Sequence, residues 1–199
     1  MIVNDVSHRF PAHGLAYLYC NHKDTDTQSL ANLLGSLLQQ LILQLGSAPP
    51  EVRSACELHT RAMSKPTASE YLLLLQSLVP RFPAVFIVVD ALDELSTSAS
   101  ISDMLVTMLQ SLQPVVRLLV TSRPIPSMNR KLSAFAKIEI VAQRQDIARY
   151  VQGFVAQNAR LTQILAGDMK MRDDIAERVA NNTQGMYATG GGMNGCNGG

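Results

Sequence analysis

One apolar segment that ends in carboxylates constrains this chain more than any other feature. Residues 84–89 read AVFIVV, four of them β-branched, and Asp90 follows directly, with Asp93 and Glu94 just beyond. An apolar run without polar alternation is typical of a strand buried on both faces of a parallel α/β sheet. Because ligands bind at the carboxyl ends of such strands, Asp90 is well placed to bind a metal. The alternative is that Asp90 only caps the helix or loop that follows.

A second buried strand is predicted over residues 115–120, and it leads into Thr121 and Arg123. If the two strands are neighbours in the sheet, Arg123 and Asp90 face the same crevice. The alternative is that Arg123 pairs with Asp90 or Glu94 and neutralises its charge.

The remaining pattern alternates between helices and strands. Leucines recur at every third or fourth position over 27–45, which predicts a helix packed on a core. Residues 67–70 read TASE, a capping box that begins another helix at 67–79. Further helices are predicted over 2–9, 51–63, 101–112, 146–157, 161–165 and 171–180, and further strands over 15–20 and 137–141.

Composition excludes several functional classes. The net charge of +1 argues against a general role on nucleic acids or membrane surfaces, and the absence of Trp leaves few base-stacking side chains. Three widely spaced cysteines suit a reducing compartment. With no signal peptide and no apolar run of membrane-spanning length, we expect a cytoplasmic protein without nucleic-acid or membrane partners.

Six segments together resemble a known family. The segment FIVVDALDEL (86–95) resembles the Walker B segment of NACHT-type P-loop NTPases of the STAND class, in the form found in fungal NLR-like proteins and nephrocystin-like N-terminal domains. Five other segments resemble further parts of that family in the family's order: LAYLYC (15–20), SLANLLGSLLQQL (29–41), RLLVTSRP (117–124), IEIVAQRQDIARYV (138–151) and TQGMY (183–187).

The resemblance implies an α/β fold, a three-layer parallel sheet of the P-loop NTPase type with flanking helices. It divides the chain into a partial nucleotide-binding core (1–142) and the start of a helical subdomain (143–187). Residues 188–199 form a Gly-rich tail that cannot build a core and is expected to be disordered.

One family element is missing from these residues. The Walker A loop, GxxxxGK[ST], requires a Gly followed by Lys, and no such pair occurs in the 199 residues. We therefore expect a truncated module that lacks the first, Walker A strand. Deleting a strand from inside a sheet leaves the 137–141 strand without its neighbour and opens sheet edges, so dimers or aggregates are expected.

The family's module is a switch that ADP closes and ATP opens for oligomerisation. By resemblance, Asp90 would hold Mg²⁺ through water, and Glu94, helped by Asp93, would orient the attacking water. Arg123 would sense the γ-phosphate, since a planar guanidinium grips two phosphate oxygens, and Thr121 would lie with it at the nucleotide. Without the phosphate loop, we expect this chain alone to bind ATP or ADP weakly or not at all.

Three hypotheses follow from the sequence. The chain is a fragment of a NACHT/STAND signalling NTPase, or a non-enzymatic remnant that either has no activity or is an interaction module pairing with intact relatives or, as a homo-oligomer, with copies of itself. A third hypothesis, a metal-dependent hydrolase, requires Asp90, Asp93 and Glu94 to bind a cation directly.

Overall fold

The computed structural model describes residues 2–23, 28–95, 99–140 and 144–165, with scattered positions between 170 and 179. It contains a parallel sheet of three strands in the order β1 (Gly14–Tyr19), β2 (Val85–Asp90) and β3 (Val116–Val120). The helices are α1 (Ile2–Arg9), α2 (Leu30–Leu45), α3 (Pro50–Arg61), α4 (Ala68–Leu78), α5 (Ala99–Gln110), α6 (Pro126–Lys131), α7 (Arg144–Gln157) and α8 (Ala159–Ile164). This arrangement confirms the predicted α/β class with a parallel sheet.

The helix α2 forms where the leucine pattern predicts it. Ser29 caps its first turn by accepting a hydrogen bond from the backbone N–H of Asn32, and Gly46 ends it in the left-handed conformation that a side chain would strain. Its stripe is buried and consists of Leu30, Leu33, Leu34, Leu37, Leu38 and Leu41. The predicted assignment of this stripe to the core is confirmed.

The capping box that begins α4 is also confirmed. The Thr67 hydroxyl accepts from the backbone N–H of Glu70, and the Glu70 carboxylate accepts from the backbone N–H of Thr67 at 2.7 Å. Each residue thereby satisfies a backbone donor that the first helical turn leaves unpaired.

The two faces of the sheet are covered unequally. One face presents buried apolar side chains from all three strands, including Ala16, Ile87 and Val116. On the other face, Phe10 packs against Phe86 with ring centroids 5.0 Å apart, while Tyr17, Tyr19 and Leu119 remain exposed. The described residues thus form the predicted parallel sheet with flanking helices, and the finer three-layer arrangement of the P-loop NTPase type stays a prediction.

The strand predicted over 137–141 is wrong for its described part. Residues 137–140 adopt neither helix nor strand, and Ile138 and Ile140 are 88% and 80% exposed. A strand needs a neighbouring strand to pair with its backbone, and the sheet that the described residues form consists of β1, β2 and β3 without the alternating sequence KIEI. Val141 lies outside the described residues.

The chain divides into two compact units, one ending at Ser133 and the other starting at Ala134. The first contains the sheet with α1 to α6, and the second contains α7 and α8. The short helix α6 was not predicted. The described residues of the helix predicted over 171–180 are 171, 174, 175 and 177–179, and all of them are helical, whereas residues 180–199 with the Gly-rich tail lie outside the described residues.

Candidate functional site

The carboxyl ends of the three strands bring the predicted site residues together. In the register of the parallel sheet, Tyr19 lies beside Asp90, and Val89 lies beside Val120. Asp90 therefore ends the central strand, flanked by the segments that follow β1 and β3. Because β2 and β3 are neighbours, Asp90 and Arg123 lie at the same edge of the sheet, which is the condition that the predicted common crevice required.

Asp90 is tied to Thr121, the first residue after β3. The Thr121 hydroxyl donates to the Asp90 carboxylate oxygen Oδ1 and accepts from the backbone N–H of Ala91 at 2.9 Å. The second Asp90 oxygen, Oδ2, has no partner among the described residues. One carboxylate oxygen at the end of the strand thus remains available to a ligand.

The chain turns sharply after Asp90. Ala91 has φ 55° and ψ 48°, a left-handed conformation that costs a non-glycine residue free energy. Three hydrogen bonds hold this turn: the one from Ala91 to Thr121, one from Leu92 N–H to the Thr121 carbonyl at 2.9 Å, and one from Glu94 N–H to the Ala91 carbonyl at 2.8 Å. The 3-10 turn Leu92–Glu94 follows and fixes both Asp93 and Glu94 beside the strand ends.

Arg123 binds Asp93 rather than Asp90 or Glu94. Asp93 Oδ1 accepts from the Arg123 backbone N–H at 3.0 Å, and Oδ2 accepts from the guanidinium Nε at 2.5 Å. The sequence did not predict this pairing, although it considered a neutralising partner. Burial opposes ionisation of Asp93, but these hydrogen bonds and the positive charge of Arg123 hold its pKa below its ordinary value.

His22 is a site residue that the sequence analysis missed. It lies just after β1, and its Nδ1 is 3.3 Å from Glu94 Oε2. Its position was the available signal, because His22 lies two places beyond the predicted strand end at Cys20. The carboxyl ends of parallel strands meet at one edge of the sheet, which is the edge of Asp90. The four histidines of the chain form no ligand-spaced motif, so the local sequence pattern does not point to His22.

Cys20 lies beneath the carboxylates as a buried apolar residue. Burial, followed by the negative charges of Asp90, Asp93 and Glu94, raises the pKa of its thiol to about 11. A thiol with this pKa is protonated at neutral pH and is neither a nucleophile nor a metal ligand there.

The donor set fits a magnesium ion held by one carboxylate. Mg²⁺ keeps several waters and needs only one or two protein carboxylates when phosphates supply further oxygens. Asp90, with its open oxygen, meets that need. Among the described residues no group of three or more His, Cys, Asp or Glu side chains forms a site for a directly coordinated metal.

Comparison with known proteins identifies the family. The family described as Nephrocystin 3, N-terminal, matches residues 1–123, a segment that contains all three strands and ends at Arg123. Searches of curated proteins and of solved structures found no match. Within the described part of the chain, no helix has the length and apolar character needed to cross a membrane. Because the match covers more than half of the sequence, the chain belongs to the nephrocystin 3 N-terminal family.

Proposed function

We propose that this chain carries the acidic and sensor half of a nucleotide-dependent signalling switch of the NACHT/STAND type. The observation that supports this proposal best is the open carboxylate oxygen of Asp90 at the end of the central strand, beside Thr121 and Arg123. In this function Asp90 holds Mg²⁺ through water, and Arg123 with Thr121 contacts the phosphates of ATP or ADP. Glu94 orients the attacking water. When bound, Mg²⁺ neutralises developing charge on the phosphates.

The 199 residues contain no phosphate-cradling loop, and its absence lowers the affinity expected for nucleotide. Such a loop contributes backbone N–H groups, a helix N-terminus and a lysine. Each charged hydrogen bond contributes roughly 1.5–3 kcal/mol, so several lost together weaken nucleotide binding strongly. The proposed assembly is therefore one in which an intact relative supplies the phosphate-cradling loop, because a second copy of these 199 residues would lack that loop as well.

The proposal requires weak but measurable nucleotide binding by this chain, and a thermal melt with and without millimolar Mg-ATP and Mg-ADP tests it. Ligand that binds only the folded state raises the melting temperature. Asp90→Asn keeps the oxygen that accepts from Thr121 and removes the charge that attracts Mg²⁺. Asp5→Asn, at an exposed ion pair of α1, is the matched control. A nucleotide-induced shift that Asp90→Asn abolishes and Asp5→Asn preserves supports the switch; no shift in the wild-type chain argues against it.

A second candidate function is a non-enzymatic interaction module that pairs with intact relatives. One observation favours it. Residues 115 and 121, which flank β3, bond to β2, and because bonding alternates along a strand the backbone groups of Val116, Leu118 and Val120 face away from β2. No described residue hydrogen-bonds to these outward groups. Such an edge is a template for a strand from another chain. Sedimentation at rising concentration, with nucleotide absent, distinguishes this candidate because its association does not depend on Mg-ATP.

A further inference from the structure

The pair formed by Asp93 and Arg123 is asymmetric in its exposure. The Asp93 side chain is 3% exposed, whereas the Arg123 side chain is 70% exposed. Both Asp93 oxygens are engaged, one by the Arg123 backbone N–H and one by Nε. Each oxygen of the buried Asp93 therefore accepts a hydrogen bond, whereas the exposed Arg123 side chain is held only through Nε.

The guanidinium keeps its outer edge open. A guanidinium offers five N–H donors in a rigid plane, and binding at Nε fixes that plane while leaving the two terminal nitrogens uncommitted. No described residue accepts a hydrogen bond from the terminal nitrogens of Arg123. These two nitrogens form the fork that binds phosphate oxygens at two points.

The same contacts make Asp93 a poor candidate for the assistance to Glu94 that the sequence suggested. Asp93 accepts one hydrogen bond from a backbone N–H and one from a guanidinium, and it lacks the raised pKa that favours proton transfer. Glu94 differs, because its side chain is 33% exposed and its one described partner is the exposed ring of His22.

We propose that Asp93 is a positioning residue: it holds Arg123 by the backbone N–H and Nε so that the outer fork of the guanidinium receives the terminal phosphate of ATP. This inference rests on the proposed function, in which Arg123 contacts phosphate. Asp93 then acts only through Arg123, and it contributes to the distinction between ATP and ADP rather than to proton transfer.

The first experiment measures the holding contact in the absence of nucleotide. In a ¹H–¹⁵N NMR spectrum the Arg123 Nε–H signal, identified by its disappearance in Arg123→Lys, is expected to exchange slowly with water. Asp93→Asn should remove this protection, and Asp93→Glu, which keeps the charge, should restore part of it. Arg117, an exposed arginine of β3 with no ion pair among the described residues, provides the unprotected reference. A fast-exchanging Arg123 Nε–H in the wild-type chain overturns the positioning role.

The second experiment is a double-mutant cycle on binding of Mg-ATP and Mg-ADP, measured by calorimetry. Asp93→Asn and Arg123→Lys are each expected to weaken Mg-ATP binding about tenfold, the effect of one charged hydrogen bond. The double variant should be no weaker than Arg123→Lys, and Mg-ADP affinity should not change. Additive losses in the double variant overturn the proposal, because they show that Asp93 acts independently of Arg123.

The two experiments separate the inference from the function on which it rests. If the wild-type chain binds neither nucleotide, the proposed function is overturned for this chain, and the phosphate role of Arg123 with it. The exchange rate of the Nε–H still decides whether Asp93 holds Arg123. Far-ultraviolet circular dichroism of each variant identifies an effect that is due to unfolding.

Discussion

At the β1 edge of the sheet, side chains take the place that a fourth strand would occupy. Gln44 donates to the Leu15 carbonyl at 2.5 Å and accepts from the Leu15 N–H at 2.9 Å. Gln40 does the same for Tyr17, at 2.9 and 3.0 Å. Beyond the strand, Gln28 bonds both backbone groups of Asn21. A primary amide has the donor and acceptor of a peptide group, so each glutamine pairs with the backbone as a neighbouring strand would.

The β3 edge is held in a different way. Its outward backbone groups at Val116, Leu118 and Val120 have no partner among the described residues. Side-chain bonds instead secure the carboxyl end of β3 to the segment after β2, through Thr121 to Asp90 and Arg123 to Asp93. Within the described part of the chain, the strand is anchored at its end and unpaired along its outer edge.

This difference shows that the fold protects the β1 edge against pairing with another strand, whereas the candidate site residues Thr121 and Arg123 follow the other edge strand. Because α2 buries its leucines and presents Gln40 and Gln44 on an adjacent face, one helix both packs on the sheet and closes the β1 edge. An edge closed in this way cannot accept another strand. If the second candidate function holds, a partner strand would therefore add at β3, the strand that Thr121 and Arg123 follow.

The largest expected effect comes from opening the closed edge. The double change Gln40→Met and Gln44→Met keeps the side-chain length and removes the four hydrogen bonds to the β1 backbone, together with two bonds within α2. It should lower the free energy of unfolding by about 2–4 kcal/mol. Urea denaturation measures this loss. Gln39→Met, an exposed position of α2 with no hydrogen bond among the described residues, is the control. Equal stability of the double variant and the control would show that the glutamines do not close the edge.

The next effect concerns the anchored end of β3. Thr121→Val keeps the side-chain shape, leaves Asp90 and the Ala91 N–H without the hydroxyl, and should cost about 1–3 kcal/mol of unfolding free energy. Thr107→Val, at an exposed position of α5, is the matched control. A loss no larger than that of Thr107→Val would contradict the assigned role of the hydroxyl.

A smaller effect is the acid sensitivity of the pair between Asp93 and Arg123. The pKa of Asp93 is lower when folded, so its ion pair stabilises the protein above the unfolded value of about 3.9 and this stabilisation is lost as pH falls through the folded pKa. The stability difference between wild type and Asp93→Asn should therefore shrink below about pH 3.9. Denaturation at a series of pH values measures it.

Glu70 supplies the comparison for this measurement. Hydrogen bonds from Thr67 lower its pKa as well, so Glu70 also stabilises the folded protein above its unfolded pKa. Glu70→Gln, in the capping box of α4, should therefore also reduce the loss of stability at acid pH. If the free energy of unfolding keeps its full pH dependence in Asp93→Asn and loses it in Glu70→Gln, the acid sensitivity belongs to the capping box instead.

The smallest effect on stability is expected at the open edge itself. Leu119 is 41% exposed, so Leu119→Lys should change the unfolding free energy by no more than about 0.5 kcal/mol. It should nevertheless reduce self-association, since a charge on an edge strand opposes pairing with another chain. Sedimentation at rising concentration measures the association, with the exposed Leu43→Lys of α2 as control. Unchanged association in Leu119→Lys would contradict an open β3 edge.

Much of the first compact unit was predictable from local pattern. The apolar runs predicted the three strands now confirmed, the leucine repeat predicted α2, and TASE predicted the capping box of α4. Asp90 was placed at the end of its strand for the same reason: an apolar run has a definite end, and the first polar residue marks it. In each of these cases the signal lies within one turn or one strand.

The errors concern the relation between segments distant in sequence. KIEI has the alternation of a strand, but a strand forms only when a neighbour receives its hydrogen bonds. The partner of Arg123 was sought in Asp90 or Glu94, because the sequence does not show that the left-handed turn at Ala91 brings Asp93 to Arg123. His22 was missed because no local motif connects it to Glu94.

The sequence by itself determined the class of fold, the three strands and the residues that end them, because hydrophobic periodicity and the positions of polar residues are local properties of the chain. Only the tertiary structure decided which carboxylate holds Arg123, which helix closes the β1 edge and which edge remains open. These outcomes depend on strand order, register and the direction of side chains on packed helices, and such relations arise only when distant segments share one core.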